Sequence, residues 1–244
     1  MRNLRLELMF NGSAYHGWQR QANADTVQEH IEGALETIFG THITVYGCSR
    51  TDSGVHARQF FCNFHADTAM DGGTVARAVD ANTPEDIAVK GCVEMPEDFH
   101  SRYSCISKRY EYLIWNECYP QPFMPALVCR RERPLDADKM NEAAAAFVGT
   151  HDFAAFCSAG SDVQSTVRTV LSAGVEKDGG LISFTVSADG FLYNMVRIMA
   201  GTLIYVGEGR IAPSEVHGIV DSLDRSQAGF TAPAEGLYLD CVYY

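Results

Sequence analysis

Between Leu4 and Val93 the apolar residues switch repeatedly between the two-residue period of a strand and the 3.6-residue period of a helix. The order of those switches constrains the fold. Leu4-Arg-Leu-Glu-Leu-Met-Phe10 alternates at first, and Asn11-Gly12 ends it as a turn. Thr26 and Glu29 have the spacing of a capping box. Val27, Ile31, Ala34, Leu35 and Ile38 then fall at helical spacing, and Gly40 supplies a stop. Ile43–Tyr46 and Phe60–Phe64 read as strands, and Thr74–Val79 as a short helix ending near Asn82 and Pro84. Ile87–Val93 reads as another strand. The order is β-α-β-β-α-β, a split βαβ arrangement.

The remainder repeats this plan. Arg109–Trp115 is an alternating strand, and residues 116–134, rich in Pro and Arg, form an irregular connection. A helix is expected from Asp138 to Val148, with Met140, Ala144, Phe147 and Val148 as its apolar face and Gly149 as its stop. Arg168–Lys177 and Leu181–Ser187 flank a hairpin turn at Asp178-Gly-Gly180. Helices over Leu192–Val206 and Pro213–Leu223 follow, and Leu237–Tyr243 is the closing strand. The expected fold is α+β, two split-βαβ (ferredoxin/RRM-like) halves over residues 1–104 and 105–244, with mixed, mainly antiparallel sheets.

The stretch Tyr46-Gly-Cys-Ser-Arg50-Thr-Asp52-Ser-Gly54-Val-His56-Ala-Arg58-Gln59 leaves the periodic pattern. Short polar side chains and Gly54 make it a turn, with Asp52 on a loop tip and Arg50 and Arg58 beside it in sequence. Three roles suit such an Asp: a turn former, a surface ion-pair partner worth about 0–1 kcal/mol, or a catalytic carboxylate. The loop Tyr15-His-Gly-Trp-Gln-Arg20 mixes aromatic and polar groups and reads as a solvent-capped loop or as an RNA contact.

Composition excludes several classes. With 46% apolar and 20% charged residues the chain is an ordinary globular protein. Charges interrupt the apolar residues of Met1–Phe10, unlike a signal peptide, and no run approaches the roughly 20 apolar residues of a membrane helix. A cytoplasmic protein is expected. The eight cysteines form no Cys-x-x-Cys and have no zinc-ligand spacing, so reduced structural thiols are expected and no metal. Neither a GxGxxG nor a Walker loop is present, so no cofactor is expected. A net charge of −12 opposes general nucleic-acid binding, but arginines outnumber lysines 15 to 4 and gather around the motifs. The groups Arg50 and Arg58, Arg102 and Arg109, and Arg130, Arg131 and Arg133 point to a confined basic cleft on an acidic body.

Five segments share a further property. Arg50-Thr-Asp52-Ser-Gly54-Val-His56-Ala resembles the signature of the bacterial tRNA pseudouridine synthase A family. Phe99-His-Ser-Arg102 through Lys108-Arg109-Tyr110-Glu-Tyr112 resembles its tyrosine motif. His151–Phe156, Phe191–Gly201 and Thr231–Leu239 follow in the family's order. The resemblance spans nearly the whole chain, and it implies a duplicated fold with the active-site cleft between two similar halves. It implies isomerisation of uridine to pseudouridine at positions 38, 39 and 40 of the tRNA anticodon stem-loop, by a homodimer needing neither cofactor nor metal.

The resemblance also assigns roles. Asp52 is the catalytic carboxylate, and Arg197 pairs with it, keeping it ionised and aimed. Pattern alone makes Arg197 a snorkelling residue at the edge of a helix core. Tyr110 stacks on the flipped uracil, and its hydroxyl is a candidate for the C5 proton transfer. Arg50 fills the vacated space or holds a phosphate, Leu239 packs on the base, and Arg58 is a further substrate-binding candidate. By residue chemistry Tyr110 and Leu239 are equally strand residues of a core. Two other classes compete: a non-catalytic RNA-binding module, and a glycosidase. The latter needs two carboxylates about 5–10 Å apart, and the Asp52 loop carries one.

Overall fold

In a computed structural model the protein is described over residues 1–160 and 163–244. It divides into two compact units, Met1–Ile106 with Tyr238–Tyr244, and Ser107–Leu237.

The first unit is built on strand β1 (Arg2–Phe10), whose Leu4, Leu6 and Leu8 are wholly buried while Arg5 and Glu7 alternate with them. Full burial of each leucine contributes about 1.5–3 kcal/mol. Helix α1 (Val27–Phe39) and the two-residue strand β2 (Tyr46–Gly47) follow. Strand β3 (His56–Ala66), helix α2 (Gly72–Asp80) and strand β4 (Ile87–Met95) complete the βαββαβ order. Strand β1 lies between β3 and β4, antiparallel to both, and β2 pairs antiparallel with β3. This is the split βαβ expected from the sequence.

The second unit contains β5 (Ser107–Trp115), β6 (Cys129–Arg130), α3 (Ala137–Ala144) and β7 (Gly149–Asp152). Strands β8 (Val167–Asp178) and β9 (Leu181–Ala188) and helices α4 (Met195–Gly207) and α5 (Glu215–Ser222) follow. Strand β9 is antiparallel to β5 and to β8, β7 borders β8, and β6 runs parallel to β5. With the short strands β6 and β7 set aside, the order β5-β9-β8 repeats the β1-β3-β2 order of the first unit. The hairpin falls as expected: Asp178 faces Leu181 across Gly179-Gly180, with φ +56° at Gly179.

Several expectations change in detail. The capping box does not form, because Thr26 is buried and its hydroxyl has no hydrogen-bond partner. The carbonyls of Gly17 and Trp18 instead take the first helical N–H groups, from Val27 at 3.3 Å and Gln28 at 3.0 Å. Gly40 does close α1, in the left-handed region at φ +69°. Helix α4 starts at Met195 rather than Leu192 because Asn194 takes a left-handed φ of +61°. Helix α3 tightens into a 3₁₀ turn over Ala145–Phe147. Strand β10 (Leu237–Tyr243), read from the sequence as closing the second half, runs parallel to β3, with Tyr238 opposite His56 and Leu239 opposite Ala57. From Tyr238 onward it therefore belongs with the first unit.

None of the eight cysteines is in a disulfide among the described residues. Burial pushes the Cys62 thiol well above its ordinary value and Cys92 up to about 11, which keeps both protonated and inert. No described helix is long and apolar enough to cross a membrane.

Candidate active site

Asp52 lies between β2 and β3, half-buried, on a loop whose backbone is tied at several points. The N–H of Val55 donates to the carbonyl of Asp52 at 3.1 Å, closing a turn over Ser53 and Gly54, and Gly54 has φ +79°. The preceding residue, Thr51, accepts from the N–H of Trp18 at 3.2 Å through its carbonyl. On the far side, the N–H of Gly54 and the hydroxyl of Ser53 both reach the carbonyl of Tyr15, at 3.2 and 3.3 Å. The Tyr15–Trp18 loop therefore grips the aspartate turn at both of its ends.

That grip needs glycine. Gly17 has φ +90°, and a Cβ there would lie 2.3 Å from the carbonyl oxygen of Thr51. A Cβ on Gly12 would lie 1.9 Å from the carbonyl oxygen of Val55, and the Gly12 N–H donates to Nδ1 of His56 at 3.0 Å. The two aromatics of the gripping loop are anchors. Tyr15 and Trp18 are 4% and 2% exposed, so the loop is neither solvent-capped nor open for RNA at those rings. Trp18 stacks on Phe60 at 4.1 Å, and the Tyr15 hydroxyl donates to the Asp86 carboxylate. No local pattern in the sequence marked this loop as the support of Asp52. Gly12 and Gly17 were the available signal.

The other first-unit candidates surround the same strand. Arg50 is exposed, two residues before Asp52. Arg58 on β3 pairs with Asp240 at 3.1 Å and lies over the Tyr238 ring at 4.7 Å, while Tyr238 stacks on His56 at 4.7 Å. Leu239 is fully buried on β10.

In the second unit, Tyr110 stands on β5 opposite Val186 and meets Phe191 edge-to-face at 5.0 Å. Tyr112, two residues on, is wholly buried, and its hydroxyl donates to the carbonyl of Pro233 at 2.8 Å. It is a core residue, as its place in the alternation suggested. Arg197 stands in the first turns of α4. Its Nε donates to the carbonyl of Ala232 at 2.8 Å, and Nη1 to Oδ1 of Asn194 at 2.8 Å. Asn194 in turn donates through Nδ2 to the hydroxyl of Ser158 at 2.9 Å. The helix needs small residues here to admit the 229–232 segment: a Cβ on Gly201 would sit 1.8 Å from the carbonyl oxygen of Phe230. The remaining arginine cluster divides its tasks, with Arg130 pairing with Glu132 at 3.2 Å and Arg131 lying over Phe230 at 4.6 Å.

A family model described as tRNA pseudouridine synthase matches residues 8–104 and 143–244. The chain belongs to that family. It is 47% identical to "tRNA pseudouridine synthase A" of Ruminiclostridium cellulolyticum and 44% identical to the protein of that name from Acetivibrio thermocellus, in each case over 100% of both chains. It is 41% identical to the "tRNA pseudouridine synthase A" of Staphylococcus aureus, over 98% of this chain and 90% of that one. As a pseudouridine synthase the chain is an isomerase, and the non-catalytic and glycosidase readings fall away. Asp52, Arg50, Arg58 and Leu239 of this pseudouridine synthase belong to the first unit, and Tyr110 and Arg197 to the second. The residues that sequence reasoning missed are supports: Tyr15, Gly17 and Trp18 for Asp52, and Asn194, Gly229 and Ala232 for Arg197.

Proposed function

We propose that the protein isomerises uridine to pseudouridine at positions 38, 39 and 40 of the tRNA anticodon stem-loop, with Asp52 as the catalytic carboxylate. The observation that supports this most strongly is the Asp52 turn, gripped through the backbone of Thr51 and Gly54 and the hydroxyl of Ser53 in a chain of this family. Catalysis by one carboxylate depends on holding it still, and the loop is built for that.

In the proposed reaction the N1–C1′ bond of the target uridine breaks, the detached uracil turns, and C5 bonds to C1′. Asp52 either attacks C1′ or removes the 2′ proton to give a glycal. The proton lost from C5 is made up at N1, so the reaction is an isomerisation without redox change. Arg197 is the proposed partner of the Asp52 carboxylate, and Tyr110 stacks on the flipped base, with its hydroxyl the candidate for the C5 proton transfer. Arg50 fills the vacated space or holds a phosphate, Arg58 is a further substrate contact, and Leu239, buried in the free protein, packs on the base once the uridine is in place. The 2′-hydroxyl gives the enzyme one way to reject DNA. A cytoplasmic homodimer is the form we propose to act on tRNA, with neither metal nor cofactor.

The test is pseudouridine mapping on an unmodified anticodon stem-loop with wild type and Asp52→Asn. Product at positions 38–40 with wild type alone supports the proposal. Product from both proteins removes Asp52 from the chemistry, and product from neither, with binding intact, removes the activity.

A further inference from the structure

The first unit carries a second built feature that the reaction chemistry does not use. Three rings form a ladder on its surface. Tyr46 and His100 have centroids 5.1 Å apart and are tilted by 44°, and His100 and Tyr103 are 4.4 Å apart and tilted by 41°. The Arg102 guanidinium stands 5.8 Å from the Tyr103 ring. Tyr103 is 77% exposed and Tyr46 43%, an unusual display of aromatic surface for a soluble unit with its own core.

The ladder is held by its own backbone. The N–H of His100 donates to the Ser104 hydroxyl at 3.1 Å, and the N–H of Ser104 returns to the carbonyl of His100 at 2.9 Å. The N–H of Arg102 donates to Nδ1 of His100 at 3.1 Å, which fixes that ring in place. Below them Ser101 is fully buried: its N–H donates to Asn63 Oδ1 and its carbonyl accepts from the Tyr244 hydroxyl, each at 2.8 Å. His100 and Tyr103 therefore stand on a tied turn beside Tyr46 of β2, and little backbone freedom remains to be lost when something stacks on them.

We propose that Tyr46, His100, Tyr103 and Arg102 form an RNA-stacking platform, taking an unpaired nucleobase of the tRNA substrate on the face of Tyr103 and an adjacent phosphate on Arg102. The proposal rests on the tRNA reading above. Every nucleobase has a π-face, so a stacking surface accepts any sequence, and a guanidinium beside the ring serves both stacking and phosphate. Two imidazole or guanidinium groups among four side chains suit a polyanion better than an apolar protein face. The body has a net charge of −12, so long-range attraction for RNA is weak, and affinity must come from local contacts of this kind.

The experiment uses the full chain and an unmodified tRNA transcript, with affinity measured in the Asp52→Asn background and turnover in the active enzyme. Tyr103→Ala is expected to weaken tRNA binding and raise KM by about tenfold, with kcat within about twofold of wild type. Tyr103→Phe keeps the π-face and is expected to restore both values. Arg102→Gln is expected to weaken binding and to reduce the salt slope of the affinity by about 1. Unchanged affinity and KM in Tyr103→Ala, with wild type making pseudouridine, overturns the platform alone. A change in sedimentation with RNA affinity intact also overturns it, assigning the patch to a contact between copies of the chain. Tyr103-dependent tRNA binding by a wild type that makes no product keeps the platform and removes the isomerase reading. No tRNA binding at all removes both.

Discussion

Arg197 and Ala232 are joined by two reciprocal hydrogen bonds: the side-chain Nε of Arg197 donates to the Ala232 carbonyl at 2.8 Å, and the Ala232 N–H donates to the Arg197 carbonyl at 3.0 Å. The guanidinium is therefore aimed by a segment more than thirty residues away in the chain. That segment reaches α4 only because Gly201 and Gly229 allow contact. The Gly229 N–H donates to the Thr202 hydroxyl at 2.9 Å, and a Cβ on Gly229 would lie 2.4 Å from the Thr202 nitrogen.

Gly201→Ala should therefore displace residues 229–232 and, with them, Arg197. The expected stability loss is about 1–3 kcal/mol in urea denaturation. Turnover at saturating tRNA should fall well beyond the loss of folded enzyme. Gly218→Ala is the control, since a Cβ there meets nothing within 4 Å. Equal effects of the two substitutions would show that the 229–232 segment does not position Arg197.

Gly17→Ala tests the corresponding support of Asp52. The substitution combines a left-handed φ of +90° with a Cβ 2.3 Å from the Thr51 carbonyl oxygen. Strain of this kind costs about 1–3 kcal/mol, which relaxes most directly by moving the Thr51–Asp52 peptide. Turnover is expected to drop at least tenfold while tRNA affinity in a binding assay stays within about twofold, the separation expected when a catalytic group moves about 1 Å. A loss confined to affinity would place the grip of the Tyr15–Trp18 loop outside catalysis.

Local patterns made much of each unit legible. The alternation of Leu4, Leu6 and Leu8, the stop at Gly40 and the turn at Gly179-Gly180 each depend on neighbouring residues in sequence, and each appears where expected. What stayed hidden depends on distant partners. Thr26 and Glu29 have capping-box spacing, but the Thr26 hydroxyl is buried without a partner, and carbonyls from Gly17 and Trp18 take the N–H groups of Val27 and Gln28. Trp18 reads as a loop residue until Phe60 is found stacked on it. The parallel seat of β10 on β3 is a pairing that no strand pattern specifies by itself. Motif resemblance named Asp52, Tyr110 and Arg197, whereas their supports act largely through backbone N–H and carbonyl groups, which every residue carries, with glycines as the one sequence trace.

Alkaline stability follows from three phenols, Tyr15 and Tyr112 buried and Tyr244 half-buried. Burial is the main cause lifting Tyr15, Tyr112 and Tyr244 above the ordinary 10.0, assisted at Tyr15 by its bond to Asp86. A raised folded-state value for an acid means that the protonated form is favoured by folding. The stability these groups contribute is complete below about pH 10 and is lost as pH rises beyond it. Tyr112→Phe should cost about 0.5–1.5 kcal/mol at neutral pH, for the bond to Pro233. It should also make the decline above pH 10 shallower. Thermal denaturation from pH 7 to 11 checks both, and an identical alkaline slope in the variant would exclude Tyr112 from the effect.

Glu32 offers a test of how α1 is fastened to the strand entering the Asp52 loop. Its carboxylate is 3% exposed and accepts from Arg20 at 2.9 Å, Gln28 Nε2 at 2.9 Å and the N–H of Val45 at 3.2 Å. The partners are unequal, because Arg20 is half-exposed and the Val45 N–H is buried. Removing Arg20 forfeits a screened ion pair, worth about 0–1 kcal/mol. Removing Glu32 strands the buried N–H of Val45, at about 1–3 kcal/mol, and leaves the Gln28 amide with only the Val45 carbonyl at 3.3 Å as its acceptor. Glu32→Ala should therefore destabilise the protein several times more than Arg20→Ala in urea denaturation. A double variant should be no less stable than Glu32→Ala by more than about 0.5 kcal/mol, since the arginine's other pair, with Glu29 at 3.8 Å, is exposed and its main contact passes through the Glu32 carboxylate. Equal losses from the two single variants would mean that the ion pair, rather than the buried N–H of Val45, holds the helix to the strand.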